Sequence, residues 1–441
     1  MTINQAFRTI AIDPTTQFFK NQSSSSIIML FSMAAAIILA NSPYAGWYHS
    51  LWKTELGFAL GEFTLYKSAH HWINDGLMGL FFLVIGLEIK REVLIGDLSS
   101  VRQALLPFIA AVGGAVVPAL IYFALNRNGG NPDGWGVPMA TDIAFAIGIM
   151  ALLGSKVPVQ IKIFITSLAV VDDMIAVIVI AVFYTSGLNV TYLAYAAGII
   201  VVLFIMNIGR VRSIMAYLFV GTILWYFFLK SGIHATVAGV ILALFIPSEP
   251  KIPFNVFNRS MRIFQAELAN CQNIPKSEIP TKCQKHTLNK IIHACLSVYN
   301  PMSRLEYNLH GFSAFIIMPL FAFANTGVTI DSSALGSILS PVGLGIIFGL
   351  LIGKPIGIIS FVKLGEHFKL ISLPKEITRL HLLGASLLAG IGLTMSIFIA
   401  SMAFDSADMN GAKISILSAS VIAGIAGYFI LRKAGSGENT L

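Results

Sequence analysis

Charged side chains are scarce in this sequence of 441 residues: Asp, Glu, Lys and Arg make up 11% of it, whereas 56% of the residues are hydrophobic. Soluble globular domains contain roughly 25% charged residues. The mean hydropathy of +0.78 therefore excludes a soluble globular protein and indicates an integral membrane protein. Apolar stretches of roughly 20 residues recur along nearly the whole chain, which predicts spanning helices rather than the alternating strands of an outer-membrane barrel.

A long basic stripe is also missing. The formal net charge is +8, but Lys and Arg occur in short clusters between the apolar stretches, so membrane topology explains them better than nucleic-acid binding does. One side would receive Lys90 and Arg91, the basic segment 250–306, and Arg432 and Lys433, while the other side would hold few basic residues. Because cytoplasmic loops carry the excess of Lys and Arg, both termini are predicted to be cytoplasmic.

Cysteine is rare as well. Cys271, Cys283 and Cys295 all lie in one polar segment, so a disulfide framework is not expected and the segment is predicted to be cytosolic. With His286 and His293 they leave a zinc site as a less favoured alternative, because zinc sites generally use closely spaced Cys pairs.

The apolar stretches predict an all-α polytopic membrane protein of about twelve transmembrane helices. Residues 1–26 are expected to form a cytoplasmic N-terminal segment, and residues 27–249 are expected to form helices one to eight. A polar cytoplasmic insertion acting as a long linker is expected at 250–303. Helices nine to twelve are expected at 304–431, followed by a cytoplasmic tail at 432–441. The predicted spans are 27–40, 72–90, 104–125, 138–154, 160–184, 191–208, 213–229, 231–247, 308–328, 340–361, 381–403 and 412–431. Near 45–68, β-forming residues and glycines fit a small external hairpin and an ordinary loop equally well.

Asp172 and Asp173 are adjacent carboxylates inside an apolar stretch that extends from Ile161 to Phe183. An acidic side chain at mid-bilayer costs roughly 2.5–3.5 kcal/mol on insertion scales, so two together indicate function. The alternative, a loop between helices, would need polar or turn-forming neighbours, and the neighbours are apolar.

Two predicted spans are interrupted. One contains Thr141 and Asp142 between flanking glycines and a proline, and the other, 388–400, contains two glycines just before Thr394. Interrupted spans in corresponding positions of two repeats indicate the ion site of a secondary transporter; helix-packing glycines are the alternative for each span alone. Lys354, inside the tenth span, needs an aspartate partner unless it snorkels to the interface.

These residues lie in motifs that resemble the NhaA family of bacterial sodium/proton antiporters. The matching stretches are Trp72-Ile-Asn-Asp75, Gly86-Leu-Glu-Ile-Lys-Arg-Glu92, Ala140-Thr-Asp-Ile-Ala-Phe145, Val171-Asp-Asp173, Ser231-Gly-Ile-His-Ala-Thr236, Pro319-Leu-Phe-Ala-Phe-Ala-Asn325, Gly353-Lys-Pro355 and Gly392-Leu-Thr-Met-Ser-Ile-Phe398. They occur in order from the second helix to the eleventh, which makes the resemblance highly specific.

The resemblance implies a fold with inverted-topology repeats, in which the fourth and eleventh helices are discontinuous and cross near mid-membrane, and a homodimer that uses the external hairpin. It implies a transporter of the cell inner membrane, not an enzyme, that exchanges cytoplasmic Na+ or Li+ for external H+ by alternating access. Exchange is expected to be electrogenic and pH-regulated, with no cofactor. Membrane lipid is an expected partner and nucleic acid is not.

By matching motif, Asp173 is expected to be the principal ligand of the transported Na+, with Asp172 beside it, Thr141 and Asp142 contributing at the crossing, and Lys354 balancing their charge. Asp172 is the expected partner of Lys354. The residues expected to serve pH response or the ion funnel are Asp75, Glu88, Glu92, His234, Glu306 and His310. For His234, a structural interhelical histidine is the alternative.

Three other classes are less favoured. An intramembrane aspartyl protease would have a Gly-x-Gly motif before its second aspartate and would leave Lys354 unexplained. A passive cation channel also uses acidic rings, but paired broken helices and a lysine countercharge favour alternating access. A sodium-coupled organic-anion symporter shares the general architecture, yet the sequence carries no organic-substrate signature.

Overall fold

Helices form nearly all of the regular structure. The computed structural model describes residues 14–60, 63–185, 187–271, 281–330, 336–374 and 376–436. The helices are α1 (Pro14–Ala40), α2 (Ala45–Lys53), α3 (Met78–Ile95), α4 (Val101–Asn126), α5 (Ile143–Leu153), α6 (Val159–Phe183), α7 (Val190–Ile208), α8 (Ile214–Ser231), α9 (Val237–Phe245), α10 (Phe254–Asn270), α11 (Lys282–Val298), α12 (Pro301–Phe312), α13 (Met318–Asn325), α14 (Pro341–Phe348), α15 (Lys354–His367), α16 (Arg379–Ala389), α17 (Leu393–Ala403) and α18 (Ser406–Ser436). Short helical segments adjoin them: Ala69–His71 and the π-helical Trp72–Leu77 before α3, the 3-10 helices Pro132–Met139 and Gly154–Lys156 around α5, and the π-helical Ser313–Ile317 and Gly349–Gly353 before α13 and α15.

Within the described residues, eight continuous helical stretches are long and apolar enough to cross a membrane, and some of them combine neighbouring helices of this list. Up to ten spans result if each of two bent helix pairs is counted as one span. This confirms the prediction of a polytopic helical membrane protein. Twelve spans remain a prediction, because charged residues occupy the C-terminal half of α3 and α9 has only nine residues. The first helix begins at Pro14, earlier than the predicted start at residue 27.

Helix α6 is a buried central element. Ile161, Ile165, Leu168 and Asp172 are each less than 5% exposed, and their spacing of four, three and four residues places them on one side of the helix. The apolar members pack in a core that includes Leu388 of α16. The periodicity that buries the face of α6 therefore also directs the Asp172 carboxylate into the protein.

The helical path is broken at 140–142, before α5, and at 390–392, between α16 and α17, where the helix axes differ by 45°. The two breaks touch: Asp142 N donates a hydrogen bond to Ile391 O at 2.6 Å. Interrupting a helix frees backbone groups that must find partners elsewhere when buried. Each break supplies such partners to the other, which places their polar side chains next to α6.

Two glycines bring α4 and α15 into contact. A Cβ added at Gly113 would lie 2.3 Å from Gly357 O, and one added at Gly357 would lie 2.1 Å from Gly113 O. Helix α15 begins at Lys354, and its side chain passes beside Gly114, where an added Cβ would lie 3.9 Å from Lys354 Cε. This close approach fixes the position of the lysine within the bundle.

The predicted hairpin is present as two antiparallel strands, β1 (Glu55–Leu60) and β2 (Phe63–Ser68), paired from Glu55 with Ser68 to Leu60 with Phe63. The β-forming residues of this stretch therefore indicated the strand pair, rather than the ordinary loop. Its location outside the membrane remains a prediction.

The insertion at 250–303 is not the expected plain linker. Helices α10 and α11 pack together, Lys251 N donates to Ser297 O at 2.7 Å at their base, and a disulfide joins Cys271 to Cys283 at the other end. The two helices are therefore an antiparallel hairpin. The expectation that no disulfide forms is wrong, because folding of the hairpin brings the two Cα atoms to 6.0 Å, within bonding range.

Candidate ion-binding site

Lys354 and Asp172 form a buried ion pair. Lys354 Nζ lies 2.6 Å from Asp172 Oδ2, and the two side chains are 0% and 1% exposed. This is the expected pairing of the two residues. An unpaired charge in such surroundings is costly, so each group requires the other. The second oxygen, Asp172 Oδ1, is buried without a hydrogen-bond partner in the described part of the chain.

Thr141 joins this pair to the broken helices. Its hydroxyl oxygen accepts a hydrogen bond from Lys354 Nζ and lies 2.6 Å from Asp172 Oδ2 and 2.9 Å from Ala389 O. A hydroxyl has one proton and can donate to only one of these acceptors at a time. Thr141 therefore has two donor arrangements, one toward Asp172 and one toward the end of α16.

Asp142 occupies the point where two helices begin. Its Oδ1 accepts from Phe145 N at 3.4 Å and caps α5. Its Oδ2 accepts from Thr394 N at 3.1 Å and from Thr394 Oγ1 at 2.5 Å, in the first turn of α17. Because helix N-termini stabilise negative charge, the Asp142 carboxylate is held in place by both helices.

Asp173 differs from these two acids. It is 5% exposed, yet within the described residues its carboxylate receives no hydrogen bond and has no ion-pair partner within salt-bridge distance. It lines a cavity of about 80 Å³ together with Asp142, Thr141, Glu88 and His310. A water molecule needs roughly 10–15 Å³ of such space, so the cavity has room for an ion with some water.

Arg91 gathers three of the predicted funnel residues. Its guanidinium lies 2.8 Å from Glu306 Oε1, 2.8 Å from Glu92 Oε1 and 3.9 Å from Glu88 Oε1. Glu88 also lines the cavity, as does the predicted His310. The predicted acids on α3 and α12 are thus brought together at one end of the cavity.

Asp75 and His234, the remaining predicted residues, form a separate cluster. Asp75 Oδ1 lies 3.7 Å from His234 Nε2, and His234 Nδ1 lies 2.8 Å from Thr236 Oγ1. The His234 ring packs edge to face on Phe398 of α17, with ring centroids 5.4 Å apart. This cluster therefore contacts a broken helix without lining the cavity.

Sequence reasoning missed two members of the site. Arg91 was assigned only to membrane topology, although its position three residues after Glu88 on a predicted helix could have indicated an ion pair. Thr394 was noted only as following a helix interruption, and no local pattern indicates that it binds Asp142. For the zinc alternative, no described group of three or more His, Cys, Asp and Glu side chains could hold a metal ion, and the disulfide occupies two of the cysteines.

The site consists of buried acids around a small cavity, a lysine countercharge and two helix breaks in contact. These features define a polytopic membrane protein with an intramembrane ionisable site. Residues 16–431 match the model of the family described as Na+/H+ antiporter 1, and the chain belongs to this family.

Relatives support the same assignment. The Na+/H+ antiporter NhaA 1 of Saccharophagus degradans is 44% identical over 434 residues, covering 98% of this chain and 93% of the relative. The Na+/H+ antiporter NhaA of Helicobacter pylori strain HPAG1 is 45% identical over 417 residues, or 94% of each chain. That of Koribacter versatilis is 42% identical over 424 residues, 96% of this chain and 92% of the relative. The resemblance is confirmed; these relatives are named as transporters, not enzymes.

Proposed function

We propose that the protein is a secondary active transporter that exchanges cytoplasmic Na+ or Li+ for external H+ by alternating access. The observation that carries this proposal is the contrast between three buried aspartates. Asp172 is paired with Lys354 and Asp142 is held by two helix N-termini, whereas Asp173 faces the cavity without a hydrogen-bond partner among the described residues. A carboxylate in this state can take either a cation or a proton.

Asp173 is the principal cation ligand in this proposal. Na+ and Li+ are hard cations that prefer oxygen ligands, and the cavity lining adds oxygens of Thr141 and Asp142. Asp172 is the neighbouring acid, and its unpartnered Oδ1 supplies a further candidate ligand. The transported Na+ is thus bound by Asp173 and Asp172 as cargo, and no cofactor takes part.

Protons and sodium compete for the same carboxylate. Burial opposes ionisation of an acid, adjacent acids oppose each other, and a nearby lysine favours ionisation. A deprotonated Asp173 binds Na+ from the cytoplasm, and external protons displace the cation after reorientation. Since Asp173 and the pair of Asp172 with Lys354 can both exchange protons in one cycle, more than one H+ enters per Na+, and exchange is electrogenic.

Reorientation involves the two helix breaks. The hydrogen bonds from Asp142 N to Ile391 O and from Thr394 to Asp142 support coupled movement of α5 and α17 around the site. We infer that these breaks belong to the fourth and eleventh of twelve spans, related by inverted repeats and crossing near mid-membrane. The α16–α17 bend of 45° agrees with this interpretation.

The acids joined by Arg91 form the cytoplasmic entrance in this proposal. Glu88, Glu92 and Glu306, with His310, can draw cations toward the cavity and adjust transport to pH. Asp75 and His234 contribute to the same pH response through their contact with α17.

The basic clusters support a location in the bacterial inner membrane with both termini in the cytoplasm. In this topology the N-terminal segment, the insertion that contains α10 and α11, and the C-terminal tail are proposed to lie in the cytoplasm. The hairpin of β1 and β2 is proposed to lie outside the membrane and to form the contact of a homodimer.

Transport by everted membrane vesicles tests the proposal. A respiration-driven proton gradient should be partly dissipated when Na+ or Li+ is added, and not when K+ is added, across a series of pH values. Asp173→Asn should abolish this dissipation, because a neutral amide does not titrate and cannot bind Na+ and H+ in turn as a carboxylate can. Asp133→Asn, the same change at an exposed aspartate, should leave it intact.

Two results would overturn the proposal. Full activity of Asp173→Asn would remove this residue from the transport site. Sodium flux that proceeds equally well without any coupling to proton movement would indicate a passive channel instead of an exchanger.

A further inference from the structure

The hairpin of α10 and α11 is fastened to the membrane domain at its base, where its two chain ends meet. Helix α10 begins at Phe254, nine residues after α9 ends at Phe245, and α11 ends at Val298, just before α12. The chain segments that enter and leave the hairpin are joined by a hydrogen bond from Lys251 N to Ser297 O. At the start of α12, Met302 N donates a hydrogen bond to Pro247 O at 3.2 Å. The base of the hairpin is therefore held close to the end of α9 and the start of α12.

Helix α11 presents an apolar stripe that no described residue covers. Leu288, Ile292 and Leu296 are 39%, 54% and 44% exposed, and their spacing of four residues places them along one side. The opposite side, which includes the buried Thr287, packs against α10. The stripe thus points away from the partner helix.

The charge around the stripe is positive. Lys285 lies on the same side as Leu288 and Ile292, at helical spacing, and Lys282 is one turn earlier. The segment 250–303 contains seven Lys and Arg residues and two Glu residues, a net charge of +5, and one lysine and one glutamate are already paired within the hairpin. An amphipathic helix with this composition matches an interface that is apolar and anionic together.

We propose that the outer side of α11 lies on the adjoining membrane leaflet, with the apolar stripe among the acyl chains and Lys282 and Lys285 on anionic lipid headgroups. Juxtamembrane basic clusters are attracted to such headgroups, and the tether at the base of the hairpin keeps α11 close to the membrane domain. A second copy of the chain fits less well, because α11 contains no acidic residue with which the lysines of another copy could pair across this stripe.

Cys295 provides a probe beside the stripe. It is exposed, and the other two cysteines of the chain are joined in the disulfide. We would label Cys295 of the full-length protein with an environment-sensitive fluorophore and reconstitute it in nanodiscs of phosphatidylcholine, with or without phosphatidylglycerol. In discs with phosphatidylglycerol, the emission should shift to the blue and iodide quenching from water should fall.

Two perturbations test the electrostatic part. Raising the salt from about 0.1 M to about 1 M shortens the Debye length from about 10 Å to about 3 Å and should reverse much of the shift in the unmodified sequence. The double variant Lys282→Glu with Lys285→Glu should abolish the dependence of the blue shift on phosphatidylglycerol. The control double variant, Lys363→Glu with Lys433→Glu, changes the net charge equally at exposed positions away from the hairpin and should retain this dependence.

Three outcomes would overturn the inference. Identical spectra in both lipid mixtures with full iodide quenching would place α11 in water. An equal blue shift in both mixtures would exclude recognition of anionic headgroups. Efficient crosslinking of Cys295 between copies by a short bis-maleimide would assign the stripe to a second copy of the chain.

Discussion

Lys354 Nζ and Asp172 Oδ2 lie 2.6 Å apart with less than 2% of either side chain exposed, so the membrane domain contains an ion pair shielded from water. The pair joins α15 to α6, the helix that also carries Asp173. Because one adjacent acid is neutralised by lysine and the other is not, two neighbouring aspartates with the same chemistry have different surroundings. This difference supports separate roles for them.

Removal of one partner should destabilise the protein more than removal of both. Asp172→Asn or Lys354→Met alone leaves a buried charge uncompensated and is expected to cost about 3–5 kcal/mol. The double variant leaves neither charge and should lose much less than the sum of the single changes. Unfolding in mixed detergent micelles measures these free energies, and strictly additive losses would contradict a coupled pair.

Thr394→Val should weaken the contact between the two helix breaks. Valine has a similar shape but cannot donate to Asp142 Oδ2, which Thr394 Oγ1 approaches to 2.5 Å in a site where both residues are 1% exposed. Loss of one buried hydrogen bond to a charged group is expected to cost about 1–3 kcal/mol. Unfolding free energy and sodium-dependent proton release should both fall, and Thr394→Ser should restore most of each.

Gly357→Ala should separate α15 from α4. The added Cβ would lie 2.1 Å from Gly113 O, so a helix must move, and overpacking of this kind costs about 1–3 kcal/mol. Displacement of α15 also moves Lys354, three residues earlier, so transport should fall with stability. Gly198→Ala in α7 is the matched control, since nothing lies within 4 Å of its added Cβ; equal losses in the two variants would show that the close approach is unimportant.

The buried charges could be predicted from sequence because charged residues are costly, and therefore rare, within membrane-spanning segments. Asp172, Asp173 and Lys354 stand out in apolar stretches, and the glycines and proline near Asp142 indicate interruption. Each of these signals is contained in one short segment of chain. The spanning segments could be predicted for the same reason, although the start of the first helix and the number of spans could not be fixed.

Contacts between distant segments were harder to predict. The hydrogen bond of Thr394 to Asp142 joins residues 252 positions apart, and the ion pair of Arg91 with Glu306 joins α3 to α12. Neither contact produces a periodic pattern in the sequence from which it could be predicted. The insertion was misinterpreted because its polar residues suggested a linker, while its helical periodicity received no weight. Its disulfide follows from the hairpin fold and not from the spacing of the cysteines alone.

His70 belongs to a polar cluster ahead of the predicted span 72–90. Its Nε2 lies 3.0 Å from Asn325 Oδ1, and Asn325 Nδ2 donates to Asn74 Oδ1 at 2.9 Å. Burial lowers the pKa of His70, and the nearby Lys413 lowers it further, against a smaller opposing effect of the Asn325 hydrogen bond. The folded protein therefore binds a proton at His70 less readily than the unfolded chain does.

Neutral His70 should contribute fully to the free energy of unfolding above about pH 6.5, the ordinary histidine pKa. This contribution should be lost as pH falls from there toward the lower pKa of the folded state. Between about pH 7.5 and about pH 5.5, the unfolding free energy should fall less in His70→Gln than in the unmodified protein, because glutamine does not titrate. His71→Gln, the same change at the exposed neighbour, is the control. A pH dependence that His70→Gln leaves unaltered would contradict the assignment, since the half-buried histidine would then make no contribution to that dependence.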